Sequence, residues 1–314
     1  MRCARQVCQT AVGMAFFLVA FTVCGQQASQ PKASKSYPPT LPGAQVEVYK
    51  TIGDVQLKAY IYYPRDHQAG DRRAAAIFYF GGGWRSGTPS QFMYHCKHLA
   101  SRGMVAITVD YRVSSRHQTK AVSCVGDAKS AVRWVREHQR RLGVDPRRIL
   151  AGGGSAGGHL AACTAVVQKF DEATEDRRIP SRPNALALFN PALVLAPVQG
   201  VDPLDAERMA GLADRMGVSP VELSPLHHVR RGLPPTIIFH GQADTTVPFE
   251  TARQYANKAR QLGNQCKLVG YPGQSHGFFN QSRGAKGRYQ QTLEELDHFL
   301  VSLGYLEATR TTDR

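Results

Sequence analysis

The sequence predicts an α/β fold built around one mostly parallel sheet. Apolar runs of strand length alternate with amphipathic helical patterns from about residue 74 to residue 303, and this alternation is typical of parallel βαβ units. The chain has 314 residues, of which 42% are hydrophobic, and this is enough to bury a substantial core. Because the alternation is unbroken, we expect a single domain over residues 42–314.

Each element follows from a local pattern. An antiparallel hairpin comes first, because residues 45–48 and 57–63 flank the turn signal Gly53-Asp54. The later strands are short apolar runs, and the helices show apolar positions at helical spacing. These later elements are, in order, strand 74–80, helix 91–102, strand 104–109, helix 121–142, strand 148–151, helix 159–167, strand 185–190, strand 235–240, strand 266–271 and helix 289–303.

The pattern becomes irregular over residues 191–233. This segment contains several prolines and one short helical pattern around residues 205–216. It follows the C-terminal end of a strand, the edge where open α/β sheets build their sites, and loops on a rigid scaffold usually determine specificity. We therefore expect the insertion to form a partial lid or pocket wall.

The first 25 residues are typical of a secretory signal peptide. Basic residues precede an apolar stretch over residues 11–23, which is too short to span a membrane comfortably and is followed by small and polar residues. Cleavage is expected after Gly25, with Ala28 as the alternative end. Residues 26–41 are rich in Ser, Gln, Lys and Pro, and we expect them to form a flexible leader.

Localisation and charge limit the partners. A secreted or periplasmic protein without a stable membrane span is expected, and a lipoprotein anchor at Cys24 is not favoured because Val23 is bulky. The formal net charge is +15, but the basic residues are scattered in pairs, without a long run or an aromatic platform. Nucleic acid is therefore not an expected partner, whereas a weak attraction to acidic polymers stays open.

Four cysteines remain beyond the signal peptide. In an exported protein they permit three pairings into two disulfides, and the sequence does not choose among them. The chain has no C-x-x-C motif, so no metal site is expected, and nothing indicates a cofactor. The four residues are Cys96, Cys124, Cys163 and Cys266.

Ser155 is the candidate nucleophile. It lies in the sequence Gly153-Gly154-Ser155-Ala156-Gly157, between a short apolar run and a helical pattern. A serine between glycines at a strand-to-helix turn is forced outward, and the next N–H points at the oxygen of the group under attack. The hydroxyl is too weakly acidic to react unaided and needs a base.

Three further groups follow strand ends. Gly81-Gly82-Gly83-Trp84 leaves backbone N–H groups free, so Gly82 and Gly83 would form an oxyanion hole together with Ala156. His276 would be the base, and Asp244 would orient its imidazole.

Rival acids are Asp110, which we expect to be structural and paired with Arg112, and Asp202 or Asp205 in the insertion. Trp84 would line the substrate pocket or pack beneath the loop; His159 and His240 are expected to pack.

Together these motifs resemble the α/β-hydrolase esterases of the hormone-sensitive-lipase group and the related bacterial carbohydrate acetyl and feruloyl esterases. The likeness covers roughly residues 46–303. It implies an α/β-hydrolase fold, a mostly parallel sheet with helices on both faces and a partial lid. This chain differs from the family at Phe80, where the family usually has His. We therefore expect the glycine loop to be anchored differently. The motifs are Gly81-Gly82-Gly83-Trp84, Gly153-Gly154-Ser155-Ala156-Gly157-Gly158-His159, His240-Gly241-Gln242-Ala243-Asp244 and Ser275-His276-Gly277-Phe278.

The resemblance implies an exported serine hydrolase for carboxylic esters with short acyl groups, such as acetyl or feruloyl esters on polysaccharide. Two alternatives stay open. A serine peptidase of the prolyl-oligopeptidase type shares the order Ser155, Asp244, His276, although no propeller pattern precedes it in this sequence. The other is a catalytically impaired homologue that binds a glycan or a partner protein.

Overall fold

An eight-stranded sheet organises the computed structural model, which describes residues 37–198, 211–284 and 286–308. The strand order is β1-β2-β4-β3-β5-β6-β7-β8. β2 pairs antiparallel with β1 and with β4, and every other pairing is parallel. The predicted mostly parallel sheet is confirmed. The strands are β1 (Gln45–Ile52), β2 (Val55–Tyr62), β3 (Arg73–Tyr79), β4 (Val105–Val109), β5 (Val144–Gly154), β6 (Ala185–Phe189), β7 (Thr236–Gly241) and β8 (Cys266–Tyr271).

Helices cover both faces of this sheet, as expected. Alternate side chains of a strand point to opposite faces, so Ile77 and Tyr79 of β3 pack on one face and Ala76 and Phe78 on the other. The first face is covered by α3, α4 and α7, the second by α1 and α8. The helices are α1 (Met93–Ser101), α2 (Ser114–His117), α3 (Ala121–Glu137), α4 (Ala156–Val166), α5 (Leu212–Met216), α6 (Pro220–Leu223), α7 (Phe249–Gln261) and α8 (Arg288–Ser302).

Two helix predictions need correction. α3 ends at Glu137 rather than at residue 142, because residues 138–143 form turns. In these turns, Gly143 donates to the oxygen of Arg140, which also accepts the N–H of Gly70 at 2.9 Å. The second correction concerns α7, which lies between β7 and β8, where no helix is predicted. Its buried face consists mainly of alanine, which gives a weak hydrophobic signal at the correct spacing.

The insertion is short and partly helical where the structure describes it. α5 and α6 are followed by a 3₁₀ turn at Pro225–His228. Residues 199–210 lie outside the described residues, as do the predicted signal peptide, most of the predicted leader and the last six residues. The elements above belong to the unit Pro38–Arg314, and the domain boundaries at residues 25 and 41 stay predictions. Within the described ranges, no helix has both the length and the apolar composition needed to cross a membrane.

The four cysteines that follow the predicted signal peptide are buried free thiols, so none of the three possible pairings is formed among them. Burial raises the pKa of the Cys266 thiol to about 12. The residues are Cys96, Cys124, Cys163 and Cys266.

Candidate active site

Ser155 occupies a strained turn between β5 and α4. Its backbone has φ 55° and ψ −119°, a region that residues other than glycine rarely adopt. The flanking glycines are sterically required, because a Cβ on Gly157 would collide with the carbonyl oxygen of Tyr79, and one on Gly153 would lie 2.5 Å from Gly157. The N–H of Ser155 donates to Phe189 at 2.9 Å, which fixes the turn against β6. The serine lines a cavity at this sheet edge.

Asp244 and His276 meet at the same edge. Asp244 follows β7 and His276 follows β8, and the two loops pack so closely that a Cβ on Gly241 would collide with Gln274. Nδ1 of His276 lies 2.7 Å from Oδ2 of Asp244. The Asp244 carboxylate is fully buried, whereas the His276 side chain is 25% exposed. The imidazole of His276 is therefore held on one side by Asp244 and is partly accessible to solvent.

The environment of Asp244 keeps it ionised. Burial acts to raise the pKa of its carboxyl, but the nearby His240 imidazole and the hydrogen bonds from His276 and the Val247 N–H outweigh burial and hold the pKa far below its usual range. Oδ1 accepts the N–H groups of Thr246 and Val247, each at 2.9 Å. An ionised carboxylate is the form that stabilises a protonated imidazole.

Asn190 is a site residue that the sequence analysis missed. It follows β6 directly, is completely buried, and has a left-handed φ of 44°. Its Nδ2 donates to Oδ2 of Asp244 at 2.5 Å. His240, expected only to pack, also approaches Asp244, with Nε2 3.4 Å from Oδ2. The sequence signal that could have indicated Asn190 as a site residue was its position as a polar residue at the end of a buried strand.

The sheet register brings the serine and this pair to one edge. Gly154 pairs with Phe189, and Phe189 pairs with Phe239, so Ser155, Asn190 and the Asp244 loop follow neighbouring strand ends. Within the described residues, Ser155 Oγ and His276 Nε2 form no hydrogen bond. Such contacts are often long in unliganded enzymes and shorten when substrate binds.

The glycine loop after β3 presents unused donors. The N–H of Gly81 is held by Oε1 of Gln91 at 2.6 Å. Gly82 and Gly83 have φ of 131° and 63°, and their N–H groups donate to no acceptor in the part of the chain that the structure describes. A Cβ on Gly82 would collide with the carbonyl of Ser86, so only glycine fits there. Ala156, the third predicted donor, begins α4, where the first N–H groups have no partner in the helix.

Phe80 anchors this loop in its own way. Its ring is buried and stacks on Tyr111 with 4.1 Å between ring centroids. The Tyr111 hydroxyl donates to the carbonyl oxygen of Phe80 at 2.7 Å. The start of the loop is thus fixed by an aromatic stack and a buried hydrogen bond, with no histidine at position 80.

Trp84 combines the two roles considered for it. Its indole lines the cavity beside Ser155, and its Nε1 donates to Nδ1 of His159 at 3.1 Å. Burial lowers the pKa of His159 to about 4, so its imidazole is neutral. Nε2 of His159 then donates to the carbonyl of Leu223 at 2.7 Å. His159 therefore positions Trp84 and ties it to the insertion.

The cavity that contains Ser155 has a volume of about 340 Å³. Gly83 and Ala156 border it on the side of the predicted oxyanion hole. Its other walls are mostly apolar, and they are supplied by residues near β6, by α5 and by the loop after β7. They include Val194, Leu195, Leu212, Val247 and Pro248.

Of the three rival acids, the structure describes only Asp110. Asp110 is buried, with its Oδ1 3.6 Å from a guanidinium nitrogen of Arg116. The expected pairing with Arg112 is wrong, because Arg112 binds Asp127 with three hydrogen bonds of 2.8 to 3.2 Å to its carboxylate. Asp202 and Asp205 lie outside the described residues. Within those residues, no cluster of His, Cys, Asp or Glu could hold a metal ion.

Comparisons with known structures identify close relatives. The family model described as the α/β hydrolase fold matches residues 76–280. The chain is similar to esterase 2 of Thermogutta terrifontis phosphonylated by sarin, with 52% identity and a TM-score of 0.85, covering 87% of this chain and 100% of that chain. The propionate-bound form of that esterase is 53% identical, with a TM-score of 0.82 and coverage of 87% and 99%.

Curated sequences give the same assignment at lower identity. Carboxylesterase NlhH of Mycobacterium tuberculosis is 27% identical over 270 residues, which cover 78% of this chain and 79% of NlhH. Esterase LipC of the same organism is 30% identical over 227 residues, which cover 64% of this chain and 52% of LipC. The chain thus spans about half the length of LipC and of other curated relatives.

Proposed function

The chain belongs to the α/β-hydrolase family of hormone-sensitive-lipase-like esterases, and from this premise we propose that it is a serine esterase for carboxylic esters with short acyl groups. The 2.7 Å hydrogen bond between His276 and Asp244 carries the proposal. It lies at the sheet edge where Ser155 occupies its strained turn. Strain of this kind is typical of functional positions.

In the first half of the reaction, the Oγ of Ser155 attacks the ester carbonyl carbon while Nε2 of His276 takes its proton. The imidazolium stays bound to Asp244 through Nδ1. The carbonyl oxygen becomes an oxyanion that accepts the free N–H groups of the glycine loop and the N–H of Ala156. Removing one such donor from an oxyanion hole costs about 3–4 kcal/mol in other enzymes.

The tetrahedral intermediate then collapses. Its C–O bond to the alcohol breaks, and His276 returns the proton to the departing oxygen, leaving an acyl group on Ser155. A water molecule repeats the sequence: His276 takes its proton while the oxygen adds to the acyl carbon, and the bond to Ser155 then breaks as His276 returns the proton to Oγ. The products are a carboxylic acid, an alcohol and the free enzyme.

Short acyl groups are supported by the cavity and by a relative. A volume of about 340 Å³ must accommodate the acyl group together with part of the alcohol. Thermogutta terrifontis esterase 2 has been solved with propionate and with butyrate bound. We extend the proposal to acetyl or feruloyl esters carried on polysaccharide. Initial rates on p-nitrophenyl acetate, acetylated xylan, pectin and feruloylated arabinoxylan test this extension, and activity confined to the small ester contradicts it.

Export is a further part of the proposal. It is supported by the basic and apolar pattern of residues 1–25. Fractionation of cells that express the chain with its own N-terminus, followed by N-terminal sequencing of the released protein, checks it. A new N-terminus near residue 26 or residue 29 is expected, and intact protein retained in the cytoplasm contradicts export.

The decisive test of the chemistry is Ser155→Ala. Loss of the nucleophile should lower kcat at least about a thousandfold on p-nitrophenyl acetate, and a fluorophosphonate probe should label Ser155 alone. Asp244→Asn should retain more activity than His276→Ala. Full activity of Ser155→Ala contradicts the mechanism. Full activity of Asp244→Asn, with loss in Asp202→Asn or Asp205→Asn, assigns a different acid.

A further inference from the structure

A second cavity adjoins the one that contains Ser155. It has a volume of about 380 Å³, and Trp84 and Arg215 line both cavities. Its remaining lining comes from the segment after the glycine loop, from residues 114–120 and from α5. Because the two spaces share walls, a substrate held at Ser155 could extend past Trp84 into the second cavity.

The second cavity is basic. Arg85, Lys120 and Arg215 line it, and Asp214 is its single acidic lining residue among those described. Lys120 already binds Asp214 at 2.7 Å. Neither Arg85 nor Arg215 forms an ion pair with any residue that the structure describes. The cavity is therefore lined by two arginines that are not paired with any carboxylate in the described part of the chain.

The cavity is built on ordered backbone that continues the predicted oxyanion loop. The N–H of Arg85 donates to Gly82 at 3.1 Å, and its carbonyl accepts the N–H of Ser115 at 3.0 Å. The carbonyl of Trp84 likewise accepts the N–H of Ser114 at 3.1 Å. Arg85 therefore follows directly on the loop whose glycines would hold the oxyanion, and Arg215 of α5 lines the same cavity.

We propose that the second cavity binds a carboxylate carried by the ester substrate, with Arg215 and Arg85 as its partners. This proposal rests on the proposed esterase function only in that the carboxylate belongs to an ester. Guanidinium forks match a carboxylate with two parallel hydrogen bonds. Because Lys120 is already paired with Asp214, the two arginines are the lining cations left to bind a ligand among the residues that the structure describes. A sugar acid or an aromatic hydroxy acid has the required chemistry.

The carboxylate could belong to the alcohol or to the acyl group, and paired esters distinguish these sources. 3-Acetoxybenzoate against its methyl ester tests the alcohol side. The p-nitrophenyl hemisuccinate against p-nitrophenyl butyrate tests the acyl side. In the pair that carries the carboxylate on the correct side, we expect kcat/KM for the charged ester to exceed that for the neutral ester by about fivefold or more. This corresponds to about 1 kcal/mol of additional binding free energy. This preference should decrease as salt is added.

Arg215→Gln is the informative variant. It should abolish the preference for the charged ester, whereas Arg147→Gln should retain it. Arg147 is a matched control because it carries the same charge, its side chain is 82% exposed, and it lies near the beginning of β5, away from the site. A wild-type preference for the neutral ester in both pairs, or an unchanged preference in Arg215→Gln, overturns the proposal.

Binding measurements keep this inference separate from the esterase function. Isothermal titration calorimetry with benzoate and with benzamide should show that the wild type binds benzoate at least about fivefold more tightly. Arg215→Gln should bind both equally. If no ester is hydrolysed but the benzoate preference depends on Arg215, the esterase proposal fails and the anion site stands. Equal binding of benzoate and benzamide by the wild type overturns the anion site.

Discussion

The side-chain amide of Asn190 lies 2.5 Å from Oδ2 of Asp244, the same oxygen that faces Nδ1 of His276. Two backbone N–H groups occupy Oδ1. The carboxylate is therefore surrounded by donors and has little freedom to rotate. Asn190 adds a donor from β6 to an acid that follows β7, so two neighbouring strands determine the direction in which the imidazole points.

Asn190→Gly should lower kcat about tenfold, since a hydrogen bond to a charged group contributes about 1.5–3 kcal/mol. Glycine accepts the φ of 44° without strain, so the change removes the amide while preserving the turn. Asn190→Ala should lose the same activity and additionally lower Tm, because alanine is strained at this φ. Steady-state kinetics and thermal unfolding of both variants check this. A kcat of Asn190→Gly within twofold of wild type contradicts it.

Gly82→Ala should lower kcat about a hundredfold, because the new Cβ collides with the carbonyl of Ser86 and displaces a donor of the predicted oxyanion hole. Gly83→Ala is the matched control. Its Cβ would meet nothing within 4 Å, so it should lose less activity despite its positive φ. The measurement is kcat/KM on p-nitrophenyl acetate. Equal losses in the two variants contradict the steric explanation.

The pH dependence of stability should report on Asp110. Burial raises the pKa of this carboxyl to about 7, although Arg116 and the N–H of Tyr111 act to lower it. An aspartate in the unfolded chain has a pKa of about 3.9. Between these values the folded protein binds a proton that the unfolded chain has lost. This contribution to the free energy of unfolding therefore decreases as pH rises from about 4 to about 7.

Asp110→Asn removes that titration. Between about pH 4.5 and about pH 7.5, the free energy of unfolding should decrease in the wild type by about 1–3 kcal/mol more than it does in Asp110→Asn. Urea unfolding at the two pH values measures the difference. Glu137→Gln removes an exposed carboxylate and should behave as the wild type does. An unchanged pH dependence in Asp110→Asn means that the buried carboxyl does not titrate in this range.

The sheet was predictable because each strand is a short apolar run with a clear end. Ser155, Asp244 and His276 all follow such ends, so their arrival at one edge could be foreseen, while their catalytic roles stay predictions. α7 was not predicted, since alanines at helical spacing give little hydrophobic contrast. The end of α3 was misplaced because the chain passes from helix into turns after Glu137, whereas the apolar pattern continues to the buried Leu142.

The supporting residues of the site could not be predicted for a related reason. Asn190 acts through Asp244, which is 54 residues away in the sequence, and no local pattern encodes that contact. The stack of Phe80 on Tyr111 depends in the same way on the pairing of β3 with β4. Sequence motifs indicate the groups that would react, whereas the groups that hold them depend on strand order.

The wall of the cavity should determine acyl specificity. Acetate or propionate p-nitrophenyl esters should exceed the octanoate ester in kcat/KM by at least about tenfold, because additional methylenes must find apolar contacts or collide. Leu212 of α5 lines the cavity, so Leu212→Ala should raise the octanoate-to-acetate ratio about threefold or more. Leu223→Ala is the control, since Leu223 is buried in α6 without lining the cavity. A wild-type kcat/KM that rises from acetate to octanoate indicates a deep apolar channel and contradicts the short-acyl proposal.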